Sequence, residues 1–483
     1  MHTAHSTQLL WLRNDLRTQD NTALNAALQA GPTIAIVLIS PLQWQTHHDA
    51  ACKVDFWLRN LAELQQRLST LNVPLVIRSS ELWQKAPAII AKVCQKFNIQ
   101  AVHVNTEYGF NEAHRDQSVS TTLANQNVLF HSHLDQLLFK PGSILTQNGT
   151  YFKVFSQFKK ACYKSLYDHL PACLDTPHPQ SPLTINNDVI PQHIDGFTAV
   201  DAGLQALWPA GETVALQRLA AFNNNAITDY AKQRDFPALH STSQLSPYLV
   251  SGTLSIRQCL HAALAINQGE FESGQSGVIT WINELLWREF YHHVLVGYPK
   301  VSCSRAFKAQ TEAIPWRDAP ADLLAWQQGQ TGFPIIDAAM RQLLATGWMH
   351  NRLRMIVAMF LTKNLLIDWR KGERFFMQHL IDGNLAANNG GWQWSASSGT
   401  DAAPYFRIFN PISQSKRFDP NGDFIRHWLP ELKHLSAKAI HYPQLENISL
   451  ASTISYPKPI VDLSTSRARA IDVFKSLPPI LTE

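Results

Sequence analysis

Several features that would point to common activities are scarce or missing. The six cysteines (Cys52, Cys94, Cys162, Cys173, Cys259 and Cys303) include no C-x-x-C pair, which argues against a zinc ribbon or an iron–sulfur cluster, and no metal site is expected. Scattered thiols fit a reducing compartment, so a cytoplasmic protein is expected. No apolar run is long enough to span a bilayer, and MHTAHSTQ lacks the basic-then-apolar order of a signal peptide; no membrane partner is expected. Charged residues are only 16% of the chain against 45% hydrophobic, a globular and not a disordered composition. The net charge of +4 is small, and its excess lies toward the C-terminus, which permits contact with a polyanion without demanding it. The first turn, Arg13-Asn14-Asp15-Leu16-Arg17, has no G-x-G-x-x-G, which removes a dinucleotide site of the usual kind there. Nothing in the sequence argues against a monomer.

Tryptophan is what the chain has in quantity: fourteen in 483 residues. That length exceeds one core and predicts two or three domains. Short β-branched runs at 8–12, 33–39, 74–77, 101–105 and 128–130 alternate with helical patterns at 53–71 and 86–97. This is the signature of a parallel five-stranded sheet with flanking helices, an α/β domain over 1–133. Residues 134–210 read as a connector, with a helix over 142–167 and a proline-containing surface linker over 171–193. From 211 to 483 the pattern is all-helical, with helices predicted at 216–230, 256–264, 277–296, 334–346, 351–366 and 371–380.

Two of these helices carry mixed stripes. Trp281, Glu284, Arg288 and Tyr291 share one face, as do Trp348, Asn351, Arg352 and Met355. Aromatic, acidic, basic and amide groups are costly to bury together without partners. The stripes accompany a segment, 381–411, that is predicted to be neither helix nor strand. It spends bulky rings among glycines and polar residues, and its Asn388–Asn389–Gly390–Gly391 run suits close approach to a ligand. Together they predict a ligand cavity.

WINELLWREFYHH at 281–293, TGWMHNRLRMIVAMFL at 346–361 and DGNLAANNGGWQWSASSGTDAAPYFRIFNP at 382–411 resemble motifs of the DNA photolyase/cryptochrome family. LWLRNDLRTQDNTAL at 10–24 and YAKQRDFPALHSTSQLSPYL at 230–249 match the same family, so the resemblance spans essentially the whole chain. It is strongest to the class I cyclobutane pyrimidine dimer photolyases of bacteria. The resemblance implies an α/β antenna domain, a long connector and an all-helical domain holding FAD. It implies light-driven repair of pyrimidine dimers in DNA by an electron from fully reduced, anionic FAD, which returns after the ring opens. The protein then binds, orients and tunes the cofactor.

By the same resemblance, Thr242, Ser243, Gln244, Leu245 and Ser246 form the phosphate-binding turn, with Tyr230 nearby. Trp281, Arg288, Trp348, Arg354, Asp382, Gly383, Asn384 and Asn388 complete the FAD site, with Asp382 and Arg354 as an ion pair and the Asn388 amide at flavin N5. Trp392, Trp369 and Trp316 match an electron relay to the surface. The dimer is expected between Trp287 and Trp394, with a buried Glu284 on a pyrimidine edge and Met355 at the ring. Arg234, Tyr291, Asn351 and Arg352 complete the DNA contacts. His47, Asn111, Glu112 and Cys303 resemble a site for a 5,10-methenyltetrahydrofolate antenna. The chain departs from the pattern at Gln244, where arginine is usual, at Asn384, where aspartate is usual, and at Ser304, where lysine is usual. A cryptochrome-type signalling flavoprotein and a single-strand photolyase of the DASH type are the alternatives. The absence of a long tail after 471–477 speaks against the former.

Overall fold

The computed structural model describes residues 7–445 and 456–478. The chain forms two compact units, one of Met1–Thr228, Ser243–Gly297 and Ile381–Gly383, the other of Asp229–Thr242, Tyr298–Leu380 and Asn384–Glu483.

The first unit is built on a sheet of β1 (Thr7–Leu12), β2 (Thr33–Ile39), β3 (Leu75–Ser79), β4 (Ile99–Asn105) and β5 (Leu129–His133). All pairings are parallel and the order is β3-β2-β1-β4-β5, which places the most apolar strands at the centre. Alternation along each strand sorts side chains to opposite faces. Leu10, Leu12, Ala35 and Val37 pack with Leu61 and Leu64 of helix α2 (Ala51–Thr70), which follows helix α1 (Thr22–Ala30). Leu9, Trp11, Ile34 and Ile36 pack instead with Ile90 of α3 (Ala86–Phe97) and Val119 of α4 (Phe110–Ala124). Truncating any one of these buried leucines to alanine removes about 2–5 kcal/mol. The five-stranded parallel sheet read from the sequence is therefore present.

The connector differs from expectation. Of the helix expected over 142–167 only α5 (Phe155–Asp168) forms, because Pro141, Gly142 and Gly149, the two glycines at positive φ, turn the preceding stretch; a further short helix spans Ala202–Leu207. The segment after α5, 171–193, runs over the surface without helix or strand, as expected, and is tied down there. Asp188 N–H donates to Leu75 O at 2.9 Å, Leu75 N–H to Asn187 Oδ1 at 2.7 Å and Ile77 N–H to Asp188 Oδ2 at 2.8 Å. These bonds close the free edge of β3, an edge that would otherwise invite pairing with another chain. The same unit contains the long helix α6 (Ser276–Gly297), whose buried Glu289 accepts from Leu138 N–H at 2.9 Å.

The second unit is helical around a main apolar core that includes Phe333, Met340, Leu353, Phe360, Phe376 and Leu429, with a smaller cluster of Ile314, Leu366 and Phe474. Its frame includes α7 (Asn351–Met359), α8 (Trp369–His379), α9 (Leu385–Ser395) and α10 (Leu463–Lys475). The helix predicted over 351–366 ends its regular part at Met359 and continues as one π-helical turn, Phe360–Asn364. Residues 385–395, expected to be irregular, are helical: Asn384 caps them by accepting from Ala387 N–H at 3.2 Å, which offsets the weak propensity of Asn and Gly. Among the described residues no helix is long and apolar enough to cross a membrane.

Candidate functional site

In the helical unit, α8 and α9 pack tightly because residue 372 is glycine: a Cβ there would fall 2.1 Å from the Trp392 ring. This contact holds Asn388 beside α8, where its Nδ2 donates to Glu373 O at 2.9 Å. Only the nitrogen can donate to a carbonyl, so the amide orientation is fixed and Oδ1 remains as an acceptor. Glu373 itself accepts from Asn389 Nδ2 at 3.0 Å, and Asn389 Oδ1 accepts from Gln393 Nε2 at 2.9 Å. Burial pushes the Glu373 carboxyl up to about 7, against the pull of the Asn389 bond and of Arg370 and Arg374. Sequence reasoning did not single out Glu373; its signal is a lone acid on the face of α8 that carries Phe376.

Trp369 and Trp392 are both buried in the helical core, and Trp316 is half-buried against it. Trp348 is buried and Trp394 half-buried. Arg354 Nε donates to Met349 O at 2.8 Å. At the start of α7, Asn351 is exposed, and His350 caps the helix by accepting from Arg352 N–H through Nδ1. Burial lowers His350 to about 4, which keeps it a neutral acceptor. Arg352 is held by Asp235 at 2.8 Å and lies over Phe418, Arg234 lies over Tyr230, and Met355 is half-buried. Thr242 belongs to this unit, and Cys303 is exposed in it.

The first unit carries the remaining residues. Ser246 Oγ donates to Asp382 Oδ2 at 2.6 Å, joining the turn to the segment that contains Gly383. In that turn Gln244 has a positive φ of 50°, Leu245 is buried, and Ser243 is half-buried. On α6, Trp281 packs on Phe222 with ring centroids 5.2 Å apart. Trp287 stacks face to face on Phe155 at 3.7 Å and 11°, and tilts toward Tyr291 at 5.6 Å. Phe155 thus fixes one face of Trp287, a contact the sequence spacing did not disclose. Glu284 is half-buried and not enclosed as expected. Arg288 donates to Gln136 O at 2.8 Å, which gives it an anchoring contact with the connector.

Also in the sheet unit, His47 bonds Asn111 Nδ2 at 3.0 Å and Gln43 Nε2 at 2.9 Å, with its ring edge-on to Trp83. Burial lowers His47, against the pull of Asp49, and burial with the Glu107 charge raises Glu112 to about 7. Next to them opens a cavity lined by Trp11, Arg13, Trp44, Trp57, Trp83 and Arg115 among others. The sequence reading did not find it, because its rings come from strands, loops and helices that are distant in the chain.

Comparison with known proteins assigns the family. Residues 281–476 match the FAD binding domain of DNA photolyase and residues 8–179 match DNA photolyase. The deoxyribodipyrimidine photo-lyase of Salmonella typhimurium is 43% identical, covering 97% of this chain and 98% of that protein. The enzyme of the same name from Escherichia coli is 42% identical over 98% and 99%. A bacterial class III photolyase from Agrobacterium tumefaciens superposes with a TM-score of 0.89 at 33% identity, over 99% of each chain. A cryptochrome from Synechocystis gives 0.86 at 27%, over 98% of this chain and 100% of that one. The chain belongs to the DNA photolyase family and carries its FAD-binding domain. The residues present fit that cofactor at Asn388, whose Oδ1 offers an acceptor of the kind that a reduced flavin's N5–H requires.

Proposed function

We propose that this protein repairs cyclobutane pyrimidine dimers in DNA under light. Bound and fully reduced, FAD supplies the electron that opens the cyclobutane ring; the chain's own residues bind, orient and exclude water. The observation that carries this reading is the fixed Asn388 amide, an acceptor held by the Glu373 carbonyl at the family's N5 position. Residues 211–483 act as the catalytic domain, 1–133 as the antenna domain and 134–210 as their connector. Tyr230, Thr242, Ser243, Gln244, Leu245, Ser246, Trp281, Arg288, Trp348, Arg354, Asp382, Gly383, Asn384 and Asn388 hold FAD, and Gln244 and Asn384 make that hold differ from the usual pattern. Trp392, Trp369 and Trp316 return oxidised flavin to the reduced state. Photolyases are among the enzymes that extrude their target from the duplex. Trp287 and Trp394 sandwich the extruded dimer, Glu284 and Met355 touch it, and Arg234, Tyr291, Asn351 and Arg352 hold the strand. Phosphate contacts of that kind fix register without reading sequence. The protein works as a cytoplasmic monomer.

Methenyltetrahydrofolate is the proposed antenna, at His47, Asn111, Glu112 and Cys303. The tryptophan-lined cavity beside His47 favours a second reading, in which a planar antenna lies among those rings instead. The repair reading is tested with photoreduced protein and a thymine-dimer oligonucleotide, as duplex and as single strand, in light and in darkness. Light-dependent loss of dimers from duplex is expected. No repair by flavin-loaded protein would instead mean a signalling role, and repair of single strands alone a DASH-type enzyme.

A further inference from the structure

We propose that Trp326 is a fourth member of the electron relay, a side well that shares the positive hole with Trp392. The proposal rests on the relay reading above. Trp326 lies on the short helix Pro320–Gln327 and is fully buried, at 0% exposure. Its ring stands edge-on to Trp392, with centroids 6.0 Å apart and planes at 72°. Phe376 bridges the two, lying parallel to Trp326 at 6.3 Å and 14°, and edge-on to Trp392 at 5.0 Å and 80°. The two indoles are thus in direct ring contact and also share Phe376 as a common neighbour.

The two indoles differ in one respect. Trp326 Nε1 donates to Val357 O at 3.1 Å, whereas Trp392 Nε1 has no acceptor among the described residues. Loss of one electron puts positive charge on an indole and makes its N–H a stronger donor. A hydrogen bond already in place therefore strengthens, as bonds to ionised groups do. That term favours the hole on Trp326 and is missing at Trp392. A backbone carbonyl cannot take the proton, so the oxidised ring stays a cation and the transfer remains reversible.

The electron count is simple. With oxidised FAD bound as the light-driven oxidant, Trp392 would give up one electron; one electron would then pass from Trp326 to Trp392, and no proton would move. Because Trp326 is wholly enclosed, no solvent reductant reaches it. The hole returns to Trp392 and leaves through Trp369 and the half-buried Trp316, where a small thiol or another solvent reductant supplies the final electron. Trp326 thus stores the hole on a ring other than the one that faces recombination.

The test uses FAD-loaded full-length protein, with transient absorption of the tryptophanyl radical cation after a blue pulse. Trp369→Phe closes the exit and leaves Trp392 and Trp326 alone. The radical pair in Trp369→Phe is expected to outlive that in the Trp369→Phe/Trp326→Phe double variant by about fivefold, the population ratio given by about 1 kcal/mol of extra hydrogen-bond strength in the charged state. Equal lifetimes would overturn the proposal. A radical signal that persists in Trp392→Phe would overturn the relay reading itself, which separates the two failures. Should the double variant not fold, out-of-phase electron spin echo on Trp369→Phe alone decides: two flavin–tryptophan spin distances are expected, and a single one refutes the side well.

Discussion

The aromatic core around Trp392 and the tryptophan-lined cavity near His47 use the same side chain in opposite electrostatic settings. Around Trp392 charge is removed. The carboxyl of Glu373 is raised to about 7 by burial, and burial with the Lys308 cation nearby lowers Lys363 well below the usual range, although Lys363 donates to Ser397 Oγ at 2.8 Å. In the cavity charge is kept and paired. Burial would raise Glu107, but Arg115 and Arg13 outweigh it and hold the carboxyl low. Arg115 contacts Glu107 at 2.9 Å and Asp116 at 2.7 Å while lying over both Trp11 and Trp83. A guanidinium over an indole makes loss of an electron from that ring harder, because the new positive charge meets an existing one. The Trp392 ring is therefore suited to carry a hole, while Trp369, which has the Arg370 guanidinium over it at 4.7 Å, is the harder of the two to oxidise; the cavity rings are suited to absorb light and hold a planar ligand without being oxidised.

The strongest way to break this contrast is Trp392→Phe. Light-driven reduction of oxidised FAD should disappear almost entirely, read as failure of the flavin band to bleach under blue light with a thiol present. The substitution costs only about 1–3 kcal/mol of stability, so flavin binding should survive it. Substituting a cavity tryptophan, Trp83→Phe, should leave the bleaching rate unchanged; a comparable loss there would erase the distinction.

A smaller effect probes charge removal directly. Glu373 has a folded pKa of about 7 against an ordinary 4.5, so the folded state holds its proton more tightly. The stability this confers is complete below about pH 4.5 and is lost as pH rises through 7. The shift corresponds to about 3 kcal/mol at most. Glu373→Gln should remove that loss, so the urea midpoint of the wild type should fall more between pH 5 and pH 8 than that of the variant. Parallel pH profiles would mean that the core tolerates an ionised carboxylate and is not the neutral medium described.

The sequence carried the parallel five-stranded sheet well, since five apolar runs separated by helical patterns leave few other solutions. Of the tryptophans proposed as a relay, Trp392 falls within a long motif, whereas Trp369 and Trp316 lie outside the motifs. The sequence failed where a polar composition hid a regular element: the stretch holding Asn388 and Trp392 is helical, made so by the Asn384 cap and by the room that Gly372 leaves for an indole. It was also blind to contacts between distant segments. Phe155 on Trp287, Glu373 under Asn388 and Trp326 against Trp392 join residues whose own surroundings have no distinguishing pattern. Local periodicity reports which face is buried and not what meets it there.

The mildest test concerns the cavity side of the contrast. His47→Ala removes hydrogen bonds to Asn111 and Gln43, worth about 1 kcal/mol net, and opens the edge of Trp83. If folate is held at this corner, its affinity should fall about fivefold, measured by titrating the purified protein with methenyltetrahydrofolate and following its near-ultraviolet band. Flavin bleaching should be untouched. If the antenna lies among the cavity rings, His47→Ala should matter little, and Trp83→Ala, which removes a wall and leaves Arg115 with the Trp11 ring alone, should lose binding instead. The order of those two losses decides whether the paired charges around Trp11 and Trp83 hold the chromophore or only support the corner that does.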